Sequence, residues 1–226
     1  MSRNARRGIF FDLDGTLADS IGILRAMFDR FAASCGAAAS DEAFASVNGP
    51  PLPMAVAMLK RSWALPQSLD ELLGRYTALI DAAFGEVVPA AGAAATLEAA
   101  FRNGWAVGIV TSNTAARTRA WLARVRLASF VDIVVGGDQV CLGKPEPEPY
   151  RIALARSGCA RELSIAVEDS PNGAKSAIAA GIRTYGVAAE SRTPVEWPQS
   201  VRLIGAIDEL IPELERQRAR RIAGRR

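Results

Sequence analysis

The sequence predicts an α/β protein: an open parallel sheet with helices on both sides, carrying an all-helical insert after its first strand. Three observations predict it. Short apolar runs alternate with helical stretches from about residue 93 onward, the pattern of successive βαβ units. The preceding segment, from about residue 19 to 87, reads helical throughout, without a strand pattern. Polar residues collect at the carboxyl ends of the apolar runs, and right-handed crossovers place those ends on one edge of a parallel sheet.

The first strand is Ile9-Phe10-Phe11, apolar on both faces as a central strand requires. It runs straight into Asp12 and Asp14, then Gly15-Thr16. In a continued strand the two acids would share a face, and Gly15 permits the sharp turn that crowds them round one small site. Two carboxylates so placed repel unless a cation or a shared proton separates them. Taken alone, the stretch also reads as a strand followed by a polar turn with capping acids.

Helical spacing then links Ile21, Leu24, Phe28 and Phe31, next Val56, Leu59 and Trp63, and finally Leu72, Leu73, Tyr76, Leu79, Ile80 and Phe84. These stripes predict the core of a small helical bundle. The rigid loop Gly49-Pro50-Pro51-Leu52-Pro53 interrupts it, and Val87-Val88-Pro89-Ala90-Ala91-Gly92 reads as the return linker. A helix over 93–102 leads to the run Trp105–Val110, ending in Thr111-Ser112-Asn113. A helix through Trp121 and Leu122 leads to Phe130–Val135, ending in Gly136-Gly137-Asp138. After Lys144-Pro145-Glu146-Pro147 comes a helix to about Ser157, then the run Leu163–Val167, ending in Glu168-Asp169-Ser170. Pro171 suits a first helical turn and Gly181 a helix end. A strand at Thr184–Val187 and a helix near Gly205–Gln217 complete the pattern.

Composition narrows the function. The 226 residues are half hydrophobic and about a quarter charged, ordinary soluble usage with ample length for a full core. A net charge of +3 gives no general affinity for nucleic acid. Much of the positive excess lies at Arg216, Arg218, Arg220, Arg221, Arg225 and Arg226, which reads as a solvated helix end and frayed terminus. No stretch has transmembrane length, and Met1–Arg7 is basic without the apolar run of a signal peptide. Three cysteines, Cys35, Cys141 and Cys159, form no paired motif, so a disulfide framework is not expected and a reducing cytoplasm is. Histidine is absent, which excludes a histidine base, a histidine metal ligand and a Ser-His-Asp triad. Lysine occurs only at positions 60, 144 and 175, so Lys144 in a motif loop stands out.

Asp12-x-Asp14-Gly15-Thr16, Thr111-Ser112-Asn113, Gly143-Lys144-Pro145 and Glu168-Asp169 together resemble, in order, the four motifs of the haloacid dehalogenase-like hydrolases. The resemblance runs from Gly8 to about Leu214, and the helical insert is similar to the cap of the branch holding phosphoglycolate phosphatase and β-phosphoglucomutase. It implies a Rossmann-like core, residues 1–17 and 89–226, with a helical cap over 18–88 and hinges near Ala18 and Val88–Ala91. It further implies a Mg2+-dependent phosphomonoesterase acting on a small phosphorylated metabolite, with no nucleic-acid or membrane partner. Asp12 is then the nucleophile, Asp14 the general acid and base, and Lys144 the offset to charge on Asp12 and the phosphoryl group. Thr111, Ser112, Asn113 and Lys144 would bind phosphate, with the amides of Ser112 and Asn113 opening a helix. The metal would take the Asp12 carboxylate, the Asp14 carbonyl and Asp169, with Glu168 holding a metal-bound water. The alternatives for these motifs are plain helix caps and surface charges.

Asp14 disfavours halide displacement and phosphonate cleavage, since family members of those kinds lack this second acid. A β-phosphoglucomutase-like phosphotransferase is the alternative within the family, with less support because mutases of the branch carry a histidine near position 24, which is leucine here. A non-catalytic binding module remains the alternative of another class. For substrate choice, Arg25, Lys60, Arg61 and Arg75 are candidates to meet a second anionic group, or are exposed helix charges, and Asp19, Ser20 and Gly49–Leu52 stand at the cap's openings.

Overall fold

The structure, a computed structural model, describes residues 5–47, 49–188 and 196–216. The arginine-rich stretch from 217 onward and residues 1–4 of the basic opening lie outside the described residues. Six strands form one parallel sheet: β1 (Gly8–Phe11), β2 (Ala106–Val110), β3 (Ile133–Val135), β4 (Ile165–Glu168), β5 (Arg183–Val187) and β6 (Arg202–Ile204), in the order β3-β2-β1-β4-β5-β6. β1 is central, with Phe11 opposite both Ile109 and Val167. The chain builds outward to β3 on one side and then returns to lay β4 on the other. This reversal beside β1 opens the crevice where ligands of such sheets sit.

Alternation divides each inner strand between two apolar layers. Ile9, Phe11, Val107, Ile109, Ile165 and Val167 join the larger cluster, which includes Leu97, Trp121 and Leu210. Phe10, Ala106, Val110, Ala166 and Val135 face the other way, onto Tyr150, Ala153 and Ala177. Gly108 is required where the Phe10 ring crosses β2: a Cβ there would stand 2.7 Å from Phe10 Cδ1. Helices α5 (Ala93–Arg102), α6 (Ala115–Arg124), α7 (Glu148–Ser157) and α8 (Pro171–Ala179) supply the crossovers.

Between β1 and α5 lie four helices: α1 (Ile21–Ser34), α2 (Asp41–Val47), α3 (Leu52–Ser62) and α4 (Leu69–Phe84). The three expected stripes lie on α1, the end of α3 and α4, where Phe28, Phe31, Val56, Leu59, Leu72, Tyr76, Ile80 and Phe84 are buried. Phe31 stacks on Tyr76 with centroids 4.5 Å apart. Ser68 caps α4 by accepting from the Glu71 N–H. The two connections run side by side. Ala90 N–H donates to Leu17 C=O at 2.8 Å and Asp19 N–H to Val88 C=O at 3.0 Å, while Trp121 Nε1 donates to Val87 C=O at 2.9 Å. Apolar contact continues from the sheet's face into these helices.

α2 lies within the stretch expected to be helical, although its one buried residue, Val47, leaves it without a stripe of its own. One strand was not expected. β6 has two exposed residues of three and, among the described residues, pairs with β5 alone, so it lacks the apolar run that marks the inner strands. The final helix is also shorter than expected at its start, a 3-10 turn at Ile207–Leu210 preceding helical residues 211–216.

Candidate active site

β1 ends at Phe11, and the chain turns at once. Leu13 C=O accepts from the N–H groups of Thr16, Leu17 and Ala18, and Gly15 takes a positive φ of 81°. Only a residue without a Cβ adopts that angle freely, so Gly15 is what folds both acids back over the strand end. Asp12 is held to β4 through its N–H, which donates to Val167 C=O at 2.9 Å.

Lys144 reaches Asp12 from the loop before α7. Glu148 pins that loop by accepting from the N–H groups of Cys141 and Leu142. Lys144 Nζ donates to Asp12 Oδ1 at 2.6 Å and to Val110 C=O at 2.9 Å, and lies 2.6 Å from Glu168 Oε1. All three donor positions of the ammonium are used. Burial works against this charge, but Asp12 and Glu168 outweigh it and hold the Lys144 pKa above its ordinary value. Glu168 is wholly buried, and burial pushes its carboxyl up while Lys144 pulls it back. Tyr150 donates its hydroxyl to Glu168 Oε1.

The carboxylates of Asp12, Glu168 and Asp169 offer oxygens within 4.8 Å of one another. These are hard oxygen donors of the kind that hold Mg2+. Glu168 Oε2 is buried without a hydrogen-bond partner, which an adjoining cation would satisfy. The residues therefore fit a divalent ion.

Asp14 is placed differently. Its carboxylate is outside that group and accepts from Ser20 Oγ at 2.7 Å and Asn113 Nδ2 at 3.3 Å. Burial first, and the charge of Asp12 second, raise its pKa from 3.8 to about 6. Two acids two residues apart thus occupy unlike environments.

At the end of β2, Thr111 is buried and its hydroxyl accepts from Asn113 N–H at 3.0 Å. The helix opens later than the sequence implies: α6 begins at Ala115, capped by Thr114, which accepts from Arg117 N–H at 3.2 Å. Thr111, Ser112 and Asn113 form the loop ahead of that helix, because Thr111 itself occupies the Asn113 amide. Ser112 Oγ donates to Gly49 C=O in the loop between α2 and α3. Gly137 is needed opposite, since a Cβ there would be 2.4 Å from Ser112 C=O.

Three groups, Arg117, Tyr150 and Gly173, went unnoticed in the sequence, and Ser20 was expected at the cap's opening without its bond to Asp14. Arg117 sits one helical turn after Asn113, the spacing that could have revealed it. Its NH1 donates to Asn113 Oδ1, and its guanidinium pairs with Asp81 of α4 at 2.6 Å. Ser20 holds Asp14 and Tyr150 holds Glu168. Gly173 lies so close that a Cβ would be 1.9 Å from Glu168 Oε2. The four cations marked for a second anion are placed elsewhere. Arg25 pairs with Asp29 and Asp41, Lys60 donates to the carbonyls of Leu65 and Gln67, Arg75 binds Glu71 and Ser34 C=O, and Arg61 is exposed.

The six-stranded parallel sheet thus gathers three acids and a buried lysine at its switch point, where an open α/β sheet binds its ligand. A model of the haloacid dehalogenase-like hydrolases matches residues 9–187, and the chain belongs to that family. It is 30% identical to the phosphoglycolate phosphatase of Yersinia pseudotuberculosis over 193 residues, covering 81% of each. With hexitol phosphatase A of Escherichia coli it shares 32% over 193 residues, 83% of this chain and 86% of that protein. The crystal structure of CbbY from Rhodobacter sphaeroides in complex with phosphate has the same fold, with a TM-score of 0.79 at 24% identity, covering 92% of this chain and 96% of that one. Among the described residues no helix is long and apolar enough to cross a membrane.

Proposed function

We propose that this chain is a Mg2+-dependent phosphomonoesterase that cleaves a small phosphorylated metabolite through an aspartyl-phosphate on Asp12. It is a phosphatase of the haloacid dehalogenase-like family. In this reading residues 1–17 and 89–226 form the core and 18–88 a cap, the paired backbone at Leu17–Asp19 and Val88–Ala90 serving as hinge. The observation that carries the mechanism is the different placement of the two loop acids. Asp12 is ion-paired with Lys144 inside the acidic cluster, whereas Asp14 is turned to Ser20 and Asn113 and holds its proton to about pH 6.

An Asp12 oxygen attacks phosphorus and the bond to the ester oxygen breaks. Asp14 gives that oxygen its proton, so the alcohol leaves neutral. Asp14, now ionised, takes a proton from water, which attacks phosphorus in turn. The bond to Asp12 breaks and inorganic phosphate leaves, with both acids restored. Lys144 keeps Asp12 ionised and oriented and would offset charge on the phosphoryl group, which Thr111, Ser112 and Asn113 would bind from the loop after β2. Asp12, Glu168, Asp169 and the Asp14 carbonyl would hold Mg2+. When bound, the ion offsets the charge of an anionic nucleophile approaching an anionic ester.

Phosphate release from acetyl phosphate, with Mg2+ and with EDTA, tests this. Asp12→Asn should abolish Mg2+-dependent release. Turnover persisting in that variant would remove Asp12 as nucleophile, and no turnover in the parent protein would favour a binding module.

A further inference from the structure

The cleft beyond Asp14 carries information about the part of the substrate that leaves. It has a volume of about 90 Å3 and is bounded on the core side by Asp14, Ser112, Asn113 and Arg117. Its opposite wall is largely apolar: Leu24 of α1, Phe44 and Val47 of α2, Leu52 of α3 and Ile80 of α4, with Tyr76 of α4 adding an aromatic ring and one hydroxyl. Space of this size holds on the order of six water-sized groups. Among the described residues lining it, Arg117 is the only cation. That guanidinium is already engaged, with Nε and NH2 on Asp81 at 2.7 and 2.6 Å and NH1 on Asn113 Oδ1. Arg25, Lys60, Arg61 and Arg75 do not line the cleft.

We propose that the site selects monoesters of short, uncharged, largely apolar alcohols and discriminates against substrates bearing a second anionic group. The inference rests on the phosphatase reading above. A carboxylate set against this wall would lose its water and gain no free cation, which strongly disfavours it. A branched alkyl group of the same shape would instead bury apolar surface against Leu24, Phe44 and Ile80. The shape is shared by 2-phosphoglycolate and isobutyl phosphate, in which two methyl groups stand where the carboxylate oxygens are.

The test compares kcat/KM for these two esters on the full chain with Mg2+, beside acetyl phosphate, whose small activated leaving group makes little demand on the cleft. Isobutyl phosphate should exceed 2-phosphoglycolate by about tenfold or more, in line with one or two apolar groups in a fitted pocket. Leu24→Arg should move that ratio by at least about tenfold toward 2-phosphoglycolate. If acetyl phosphate is hydrolysed but 2-phosphoglycolate equals or exceeds isobutyl phosphate, or if neither ester is cleaved, the proposal is overturned and the phosphatase reading stands. If none of the three releases phosphate, the phosphatase reading fails and the proposal falls with it.

Discussion

Gly173 offers a test in which two physical effects predict opposite signs. It lies in the first turn of α8, where its N–H is capped by Ser170 Oγ at 3.1 Å. By helix propensity alone, Gly173→Ala should stabilise the protein by about 1 kcal/mol. A Cβ at this position, however, would be 1.9 Å from Glu168 Oε2, 2.2 Å from Cδ and 2.5 Å from Oε1. Glu168 is wholly buried and tied to Lys144 and Tyr150, so its carboxylate has nowhere to retreat without loosening those bonds. Forcing an extra carbon into a packed interior costs about 1–3 kcal/mol, and parting a buried ion pair costs about 3–5 kcal/mol. The net expectation is a loss of about 2–4 kcal/mol once the propensity gain is set against partial displacement. For a chain of this size that lowers Tm by roughly 5–15 °C. Gly74 in α4 is the matched control, with nothing within 4 Å of a Cβ. Gly74→Ala should raise Tm by about 2–4 °C. Thermal unfolding of both variants decides the matter, with the Mg2+ concentration for half-maximal activity as a second readout that should rise only for Gly173→Ala. A Gly173→Ala protein as stable as Gly74→Ala, with unchanged Mg2+ dependence, would refute the crowding of Glu168.

The remaining predictions concern charge. Asp14 has its folded pKa raised from 3.8 to about 6, so between those values the folded chain binds the extra proton and stability falls as pH rises. The full effect is about 3 kcal/mol. In EDTA, Asp14→Asn should therefore be more stable than the parent at pH 7 by about 1–2 kcal/mol, after losing one of its two side-chain bonds, and no more stable at pH 3.5; urea titrations at both values would show it. Lys144→Met removes the ammonium that pairs with both Asp12 and Glu168 in the interior, and should abolish phosphate release and cost about 3–5 kcal/mol at pH 7, read by urea denaturation. Asp81→Asn parts a pair whose acid is 57% exposed, so stability should change by less than about 1 kcal/mol, while the kcat/KM ratio of isobutyl phosphate to 2-phosphoglycolate falls several-fold as Arg117 is freed to meet a second anion in the cleft.

The parts of the molecule legible in the sequence were those in which one residue does one local job. Strands β1, β2 and β4 are apolar on both faces because layers cover both sides, and that leaves an uninterrupted run. Asp12 and Asp169 each follow a strand, so parallel topology predicts that they converge, whereas Lys144 was expected beside them from the resemblance of Gly143-Lys144-Pro145 to the family's motif. α5 was readable to the residue because Gly92, at a φ of 78°, and Gly104, at 72°, bracket it. What stayed hidden depends on partners far along the chain. Arg117 acquires its role from Asn113 and Asp81 together, and Gly173 from the carboxylate packed against it. Lys60 misled for the same reason: on a helix it reads as a free cation, while in the fold its ammonium closes the carbonyls of Leu65 and Gln67. The Thr111 loop was misjudged because Ser, Thr and Asn all suit a cap, and only the backbone shows that Thr114 takes that place.

The charge balance at the strand ends argues that the protein cannot complete the site by itself. Lys144 is surrounded by Asp12, Glu168 and Val110 C=O, so its three donors are spent on groups already present. Asp169 adds a further carboxylate to the same cluster. A phosphate monoester near neutral pH brings still more negative charge, and at separations of about 4 Å repulsion between unit charges reaches about 4 kcal/mol at an effective dielectric of 20. Hydrogen bonds from the Thr111 loop carry partial charge only. The proposed Mg2+ is thus the element that turns an arrangement hostile to phosphate into one that attracts it. Its removal should weaken binding of inorganic phosphate itself: isothermal titration of the parent protein should detect phosphate binding with Mg2+ and none in EDTA, and equal affinity under both conditions would show that the chain's own cations suffice.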